Sequence, residues 1–242
     1  MTPVDTYVLR LGDDCLVLAQ RLGEWASRGP QLEEDVALLN IALDLLGSAR
    51  SLLSQVGDED DLAFLRDEPE FTNAQVMELE NGDFGRTMAR QLLVSAYQLP
   101  LWELLSSSSH EGLAGVAGKA VKEVAYHLDH ASSWVVRLGD GTEESHARVQ
   151  TGLDTVWPYA FELFESDELV TSLVQQGIAA DPAVIEQAWH ASVEKVLAEA
   201  TLSVPETDWR PTGGRRGLHT EPFGYLLAEM QHLHRSHPGA SW

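Results

Sequence analysis

Residues 31–53 read QLEEDVALLNIALDLLGSARSLL, and the spacing of their apolar side chains decides the fold. Two stripes recur at helical intervals, Val36/Leu39/Leu43/Leu46 and Leu38/Ile41/Leu45/Leu52, so the segment predicts a helix covered on most sides. One polar line, Asn40, Asp44 and Ser48, remains, and it is expected to form an interior hydrogen-bond network. No alternating pattern bounded by turn residues occurs elsewhere, so the reading extends to an all-α chain.

Working outward, a first helix is expected from about Asp5 to Ala26, with Leu11, Cys15, Leu18, Leu22 and Trp25 on one face and Gly29-Pro30 as its stop. Ser54 to Asp83 is acidic and broken by Gly57, Pro69 and Gly82, with room for a short helix around Asp60 to Leu65, and reads as a crossover. Helices three (Phe84 to Leu105) and four (about Leu113 to Leu138) form a second hairpin across Ser106 to Ser109. Thr142 with Glu143-Glu144 caps a fifth helix running to about Phe164, kinked at Trp157-Pro158. Asp181-Pro182 opens a sixth helix, to about Ala200. Thr201 to Pro222 holds too many prolines and glycines for regular structure, and a short helix follows from Phe223 to Arg235. The expected organisation is one domain over 1–242, with 201–242 as a C-terminal extension.

The composition narrows function. The 242 residues are 44% hydrophobic, enough to fold, and carry a net charge of −22, which opposes nucleic acid and anionic membranes. No basic signal segment begins the chain and no apolar run is read as a membrane span, so a cytoplasmic location is expected. Cys15 is the one cysteine and reads as a small buried hydrophobe. Phosphate-binding glycine loops and nucleophile elbows are absent from the sequence.

Two hairpins joined by a crossover are the scaffold of ferritin-like di-iron proteins, where one helix of each hairpin supplies a Glu and the other a Glu-x-x-His pair. The run Asp44-Leu45-Leu46-Gly47-Ser48-Ala49 resembles the Asp-Glu-x-Gly-His-Ala stretch of such proteins, which puts Leu45 and Ser48 in the Glu and His slots. Asp14 is the one carboxylate level with Leu45 on the first helix, and it lies off the apolar stripe. On the second hairpin the slots fall on Ser95, Val124 and His127. A di-iron centre uses about four carboxylates and two histidines, so this one reads as dismantled. Glu123, His127 and His130 remain an alternative mononuclear cluster, against a hydrogen-bonded core histidine on the line Ala120, Val124, Ala131 and Trp134.

Arg210-Pro211-Thr212-Gly213-Gly214-Arg215-Arg216-Gly217-Leu218-His219 is the one basic, glycine-rich stretch. Either it pairs with the acidic surface, or Arg210, Arg215, Arg216 and His219 dock a partner or the phosphates of a ligand. His219, His232, His234 and His237 otherwise read as solvated surface.

The stretches Leu9 to Leu18, Gln20 to Trp25, Leu43 to Gly47, Arg137 to Thr142, Thr212 to Glu221, Leu227 to Gln231 and the terminal Trp242 resemble, in order and spacing, the PaaC family of ferritin-like subunits of bacterial phenylacetyl-CoA epoxidase. The resemblance implies a non-catalytic subunit of a multicomponent monooxygenase in aerobic phenylacetate catabolism. It implies as partner a homologous catalytic subunit that carries the di-iron centre and binds most of the phenylacetyl-CoA, with electrons from NADPH through a separate reductase. No cofactor is expected in this chain itself, and no catalytic residue is assigned. An active di-iron oxygenase or ferroxidase, or a subunit seating the CoA moiety through Arg215 and Arg216, are the rival readings. Trp25, Trp102, Trp134 and Trp157 are candidate core or interface anchors.

Overall fold

A computed structural model describes residues 1–240; Trp242, one of the residues that carry the resemblance, lies outside them. The chain is all-α, with no strand among the described residues, and its two long hairpins separated by a crossover follow the ferritin-like plan. The expected single domain divides into two compact units, residues 1–80 with 212–242, and residues 81–211.

In the first unit, helix α1 (Pro3–Gly23) starts where Thr2 and Asp5 exchange hydrogen bonds in a capping box. It packs antiparallel to α2 (Leu32–Leu53). Leu11, Cys15, Leu18 and Leu22 meet Leu38, Ile41, Leu45 and Leu52, all at most 3% exposed. The first helix ends earlier than its apolar spacing suggests, because residues 24–28 turn and Ser27 takes a positive φ. Burial raises the Cys15 thiol above its ordinary pKa, with the charge of Asp14 adding to it, which suits an inert core residue.

The second stripe of α2 is not covered: Leu32, Val36, Leu43 and Leu46 are exposed. Asn40 is exposed too, so the expected interior network of Asn40, Asp44 and Ser48 does not form as one buried line. By length and composition α2 passes as a membrane span, contrary to the sequence reading; its packing against α1 makes it the core helix of a folded unit.

The crossover contains α3 (Glu59–Phe64), capped by Asp58, and the single turn α4 (Gln75–Glu78). The C-terminal stretch does not behave as an extension. It returns to the first unit, where the last helix of the chain (Glu221–Ser236) packs on α3, α4 and α1, and is longer than expected.

The second unit is built around α5 (Phe84–Leu105), which matches the expected bounds. Around it lie α6 (Glu111–Gly139) and α7 (Glu143–Ala160), the latter starting at the expected Thr142 cap. The short α8 (Glu168–Gln175) is an addition to the expected set, and α9 (Pro182–Glu199) begins at the expected Asp181 cap. A Cβ at Gly152 of α7 would lie 2.5 Å from the Arg86 Cα, so the α5/α7 crossing is close enough to require glycine there. Trp189 of α9 is fully buried, donates to the Leu93 carbonyl at 2.9 Å and meets the rings of Trp157 and Phe164 at 5.2 and 5.4 Å. Of the candidate tryptophan anchors, Trp25, Trp102 and Trp157 are core, while Trp134 is half-buried against Phe84. The remaining helix, Glu221–Ser236, is α10.

Candidate functional site

The six slot positions are all buried in their own units: Asp14, Leu45 and Ser48 in the first, Ser95, Val124 and His127 in the second. Burial is what a metal-bearing interior needs, but the donor chemistry does not fit. Leu45 and Val124 have no donor atom, Ser48 and Ser95 offer neutral hydroxyls, and His127 supplies one imidazole. A pair of redox-active irons needs several anionic oxygens to balance its charge. Among the described residues no group of three or more His, Cys, Asp or Glu is arranged to hold a metal ion. The alternative cluster does not gather either, since Glu123 pairs with Lys119 one turn away at 3.1 Å. His127 is 2% exposed on the line of Ala120, Val124 and Ala131, the environment of a core histidine.

Asp14 is the single carboxylate among the six, and it is already bound to a cation. Arg215 grips it with both terminal nitrogens, at 2.9 and 2.8 Å, and the Ala74 amide donates to it at 2.8 Å. The same guanidinium donates to the carbonyls of Thr72 and Arg10. Burial raises the carboxyl above its ordinary pKa, while Arg215 and the Ala74 amide pull it down. Arg215 thus occupies the side of Asp14 where a ligand carboxylate would bind metal.

This pair belongs to a buried polar lattice that ties α1, the crossover and the C-terminal segment of the first unit together. Adjacent residues on a helix point about 100° apart, and Asp13 accordingly faces different partners. It accepts from Arg66, from the Thr72 amide at 2.8 Å and from the Thr72 hydroxyl at 2.9 Å, while Arg66 lies over the Phe71 ring at 4.1 Å. Glu78, fully buried, accepts from Asn73 at 2.7 Å, from His219 Nδ1 at 2.7 Å and from the Thr220 amide. His219 Nε2 faces the Phe71 carbonyl at 3.0 Å. Two glycines let the C-terminal segment approach: a Cβ at Gly214 would lie 2.2 Å from the Asn73 oxygen, and Gly217, at φ +76°, would meet the Pro69 oxygen at the same distance.

Both ring nitrogens of His219 face acceptors, and only the imidazolium donates from both. Burial opposes that charge, but the hydrogen bond and charge of Glu78, with help from the Phe71 carbonyl and Glu68, outweigh it and raise the pKa above 6.5. A raised folded-state value stabilises the fold fully below the ordinary value and is lost as pH rises through the folded one. Unfolding midpoints of the wild type should therefore fall with rising pH above about 6.5, and His219→Gln should remove that part of the slope. An identical pH slope in the variant would contradict the assignment.

The residues expected to dock a partner or ligand separate. Arg215 and His219 turn inward as described, the His219 side chain being wholly inaccessible. Arg210 and Arg216 are exposed; Arg210 stacks over Phe161 at 3.9 Å in the second unit, and Arg216 donates to Thr212. The solvated reading of His219 is corrected for the same reason, whereas His232 and His237 are exposed and His234 stacks on Phe64. Asp13, Arg66, Asn73 and Glu78 escaped sequence reasoning. The available signal was the Asp13-Asp14 pair on an otherwise apolar helix, because two buried acids demand two cationic or amide-rich partners.

Known proteins share these features along the whole chain. Residues 2–242 match the family described as phenylacetic acid catabolic protein. The chain is 47% identical over 248 residues to a subunit of the 1,2-phenylacetyl-CoA epoxidase of Escherichia coli (strain K12), an alignment that covers 100% of both proteins.

Proposed function

Because this chain belongs to the phenylacetic acid catabolic protein family, we propose that it is a structural, non-catalytic subunit of a multicomponent phenylacetyl-CoA epoxidase in aerobic phenylacetate catabolism. It pairs with a homologous catalytic subunit, which holds the di-iron centre and most of the phenylacetyl-CoA. A separate reductase delivers electrons from NADPH, and the assembly works in the cytoplasm. One observation carries the division of labour: the single carboxylate among the six slot residues is neutralised by Arg215, and four of the other five positions bear no ionisable side chain. Full-length identity of 47% to a protein named as one subunit of such an epoxidase supports the assignment to this assembly.

The chain's contribution is then mechanical. Its lattice of Asp13–Arg66, Asp14–Arg215 and Glu78–His219 keeps the first unit rigid without a metal, and its exposed surfaces hold the partner. Seating of the CoA phosphates is less favoured, because Arg215, one of the two arginines suggested for it, is spent on Asp14. Co-expression with the catalytic homologue followed by size-exclusion chromatography tests the proposal. The two chains should co-elute, and epoxidation of phenylacetyl-CoA should require both; turnover by the catalytic chain alone at the full rate would refute a supporting role.

A further inference from the structure

The exposed stripe of α2 has a stricter pattern than an ordinary surface. Leu32, Val36, Leu39, Leu43 and Leu46 follow at intervals of four, three, four and three, the 3.5-residue repeat of a coiled-coil seam. Leu32, Val36, Leu43 and Leu46 are 74, 51, 63 and 37% exposed, and Leu39 is half-buried. The seam is about 21 Å long at 1.5 Å per residue, and the positions beside it, Asn40 and Gly47, are uncharged. The next heptad position is Arg50, which turns away to Glu59 at 2.6 Å and ends the apolar run. The opposite stripe of α2 is fully used against α1, so the exposed seam adds nothing to the unit's own core. Apolar side chains repeated in this register favour packing against a second helix, with side chains inserting between those of the partner.

Charge selects among occupants. The seam begins beside Glu33, Glu34 and Asp35, on a chain of net charge −22. A second copy would bring the same sign throughout, and an anionic membrane would also repel it. We propose that the α2 seam is the docking surface for a helix of the homologous catalytic subunit, one that carries an apolar heptad stripe and lysine or arginine beside Glu33 to Asp35. This deepens the function proposed above and rests on it.

The test compares binding of wild type, Leu43→Glu, the triple reversal Glu33→Lys/Glu34→Lys/Asp35→Lys, and Tyr225→Glu, a control at a 75% exposed residue on α10. Circular dichroism and thermal melts of each isolated chain establish that the fold is retained, and affinity for the full-length catalytic homologue is then measured. The expected result is wild-type binding by Tyr225→Glu and affinity lowered about tenfold or more by Leu43→Glu, with a smaller loss in the charge reversal. Binding of folded Leu43→Glu at wild-type affinity overturns the seam while leaving the epoxidase reading in place. If wild type itself fails to bind the homologue, the underlying reading fails. A wild-type homodimer that Leu43→Glu dissolves replaces the proposed partner with a second copy.

Discussion

Replacing Arg215 with alanine should cost the fold about 3–5 kcal/mol, the range for leaving one half of a buried ion pair without its partner. Asp14 is 3% exposed and takes two of its three hydrogen bonds from this guanidinium, while the carbonyls of Thr72 and Arg10 lose a donor at the same time. Urea midpoints should fall, and the melting temperature should drop by roughly 10 °C for a chain of this size. Because burial already pushes the Asp14 carboxyl upward, the variant should recover part of its stability as pH is lowered and the acid takes a proton. Arg215→Lys keeps the charge but not the fork, so it should fall between. A double variant Asp14→Asn/Arg215→Ala should lose less than the single Arg215→Ala, since no buried charge is left behind. If Arg215→Ala instead unfolds at the wild-type midpoint and only weakens partner binding, the arginine is a docking residue and the lattice is secondary.

In the second unit the largest effect is expected at Trp189. Trp189→Ala removes a fully buried ring that meets Trp157 and Phe164, and the cavity should cost about 3–5 kcal/mol. Trp189→Phe retains most of the packing and loses the donor to the Leu93 carbonyl, for about 1 kcal/mol. The two variants separate packing from hydrogen bonding by equilibrium denaturation. Equal losses would show that the hydrogen bond, and not the aromatic cluster, dominates there.

Much of the fold is legible in the sequence because helix spacing and caps are local properties. The bounds of α5 and the Asp181-Pro182 start of α9 follow from the sequence alone. The empty slots are legible too, since Leu45 and Val124 exclude ligation whatever their surroundings. Long-range partners are not. Nothing near Asp14 in the chain announces Arg215, 201 residues away, and Glu78 looks like any acid of a charged crossover until His219 is placed beside it. The charge of −22 reads as a surface property, which holds for Glu143-Glu144 and the Asp58 and Asp67 caps. Asp13, Asp14 and Glu78 are the exceptions, and they hold the first unit together. Periodicity identifies both stripes of α2 but cannot tell which one the chain itself covers. The coverage of only one is the clearest sign that this subunit is completed by another.

Iron analysis of the intact two-subunit complex, made with wild-type chain and with His127→Gln, tests the central claim most directly. His127 is the one imidazole among the six slot residues. If this chain supports but does not ligate metal, iron per complex and epoxidation turnover should be the same in both preparations. Loss of iron from a His127→Gln complex that still co-elutes as one species would show that the subunit holds metal after all.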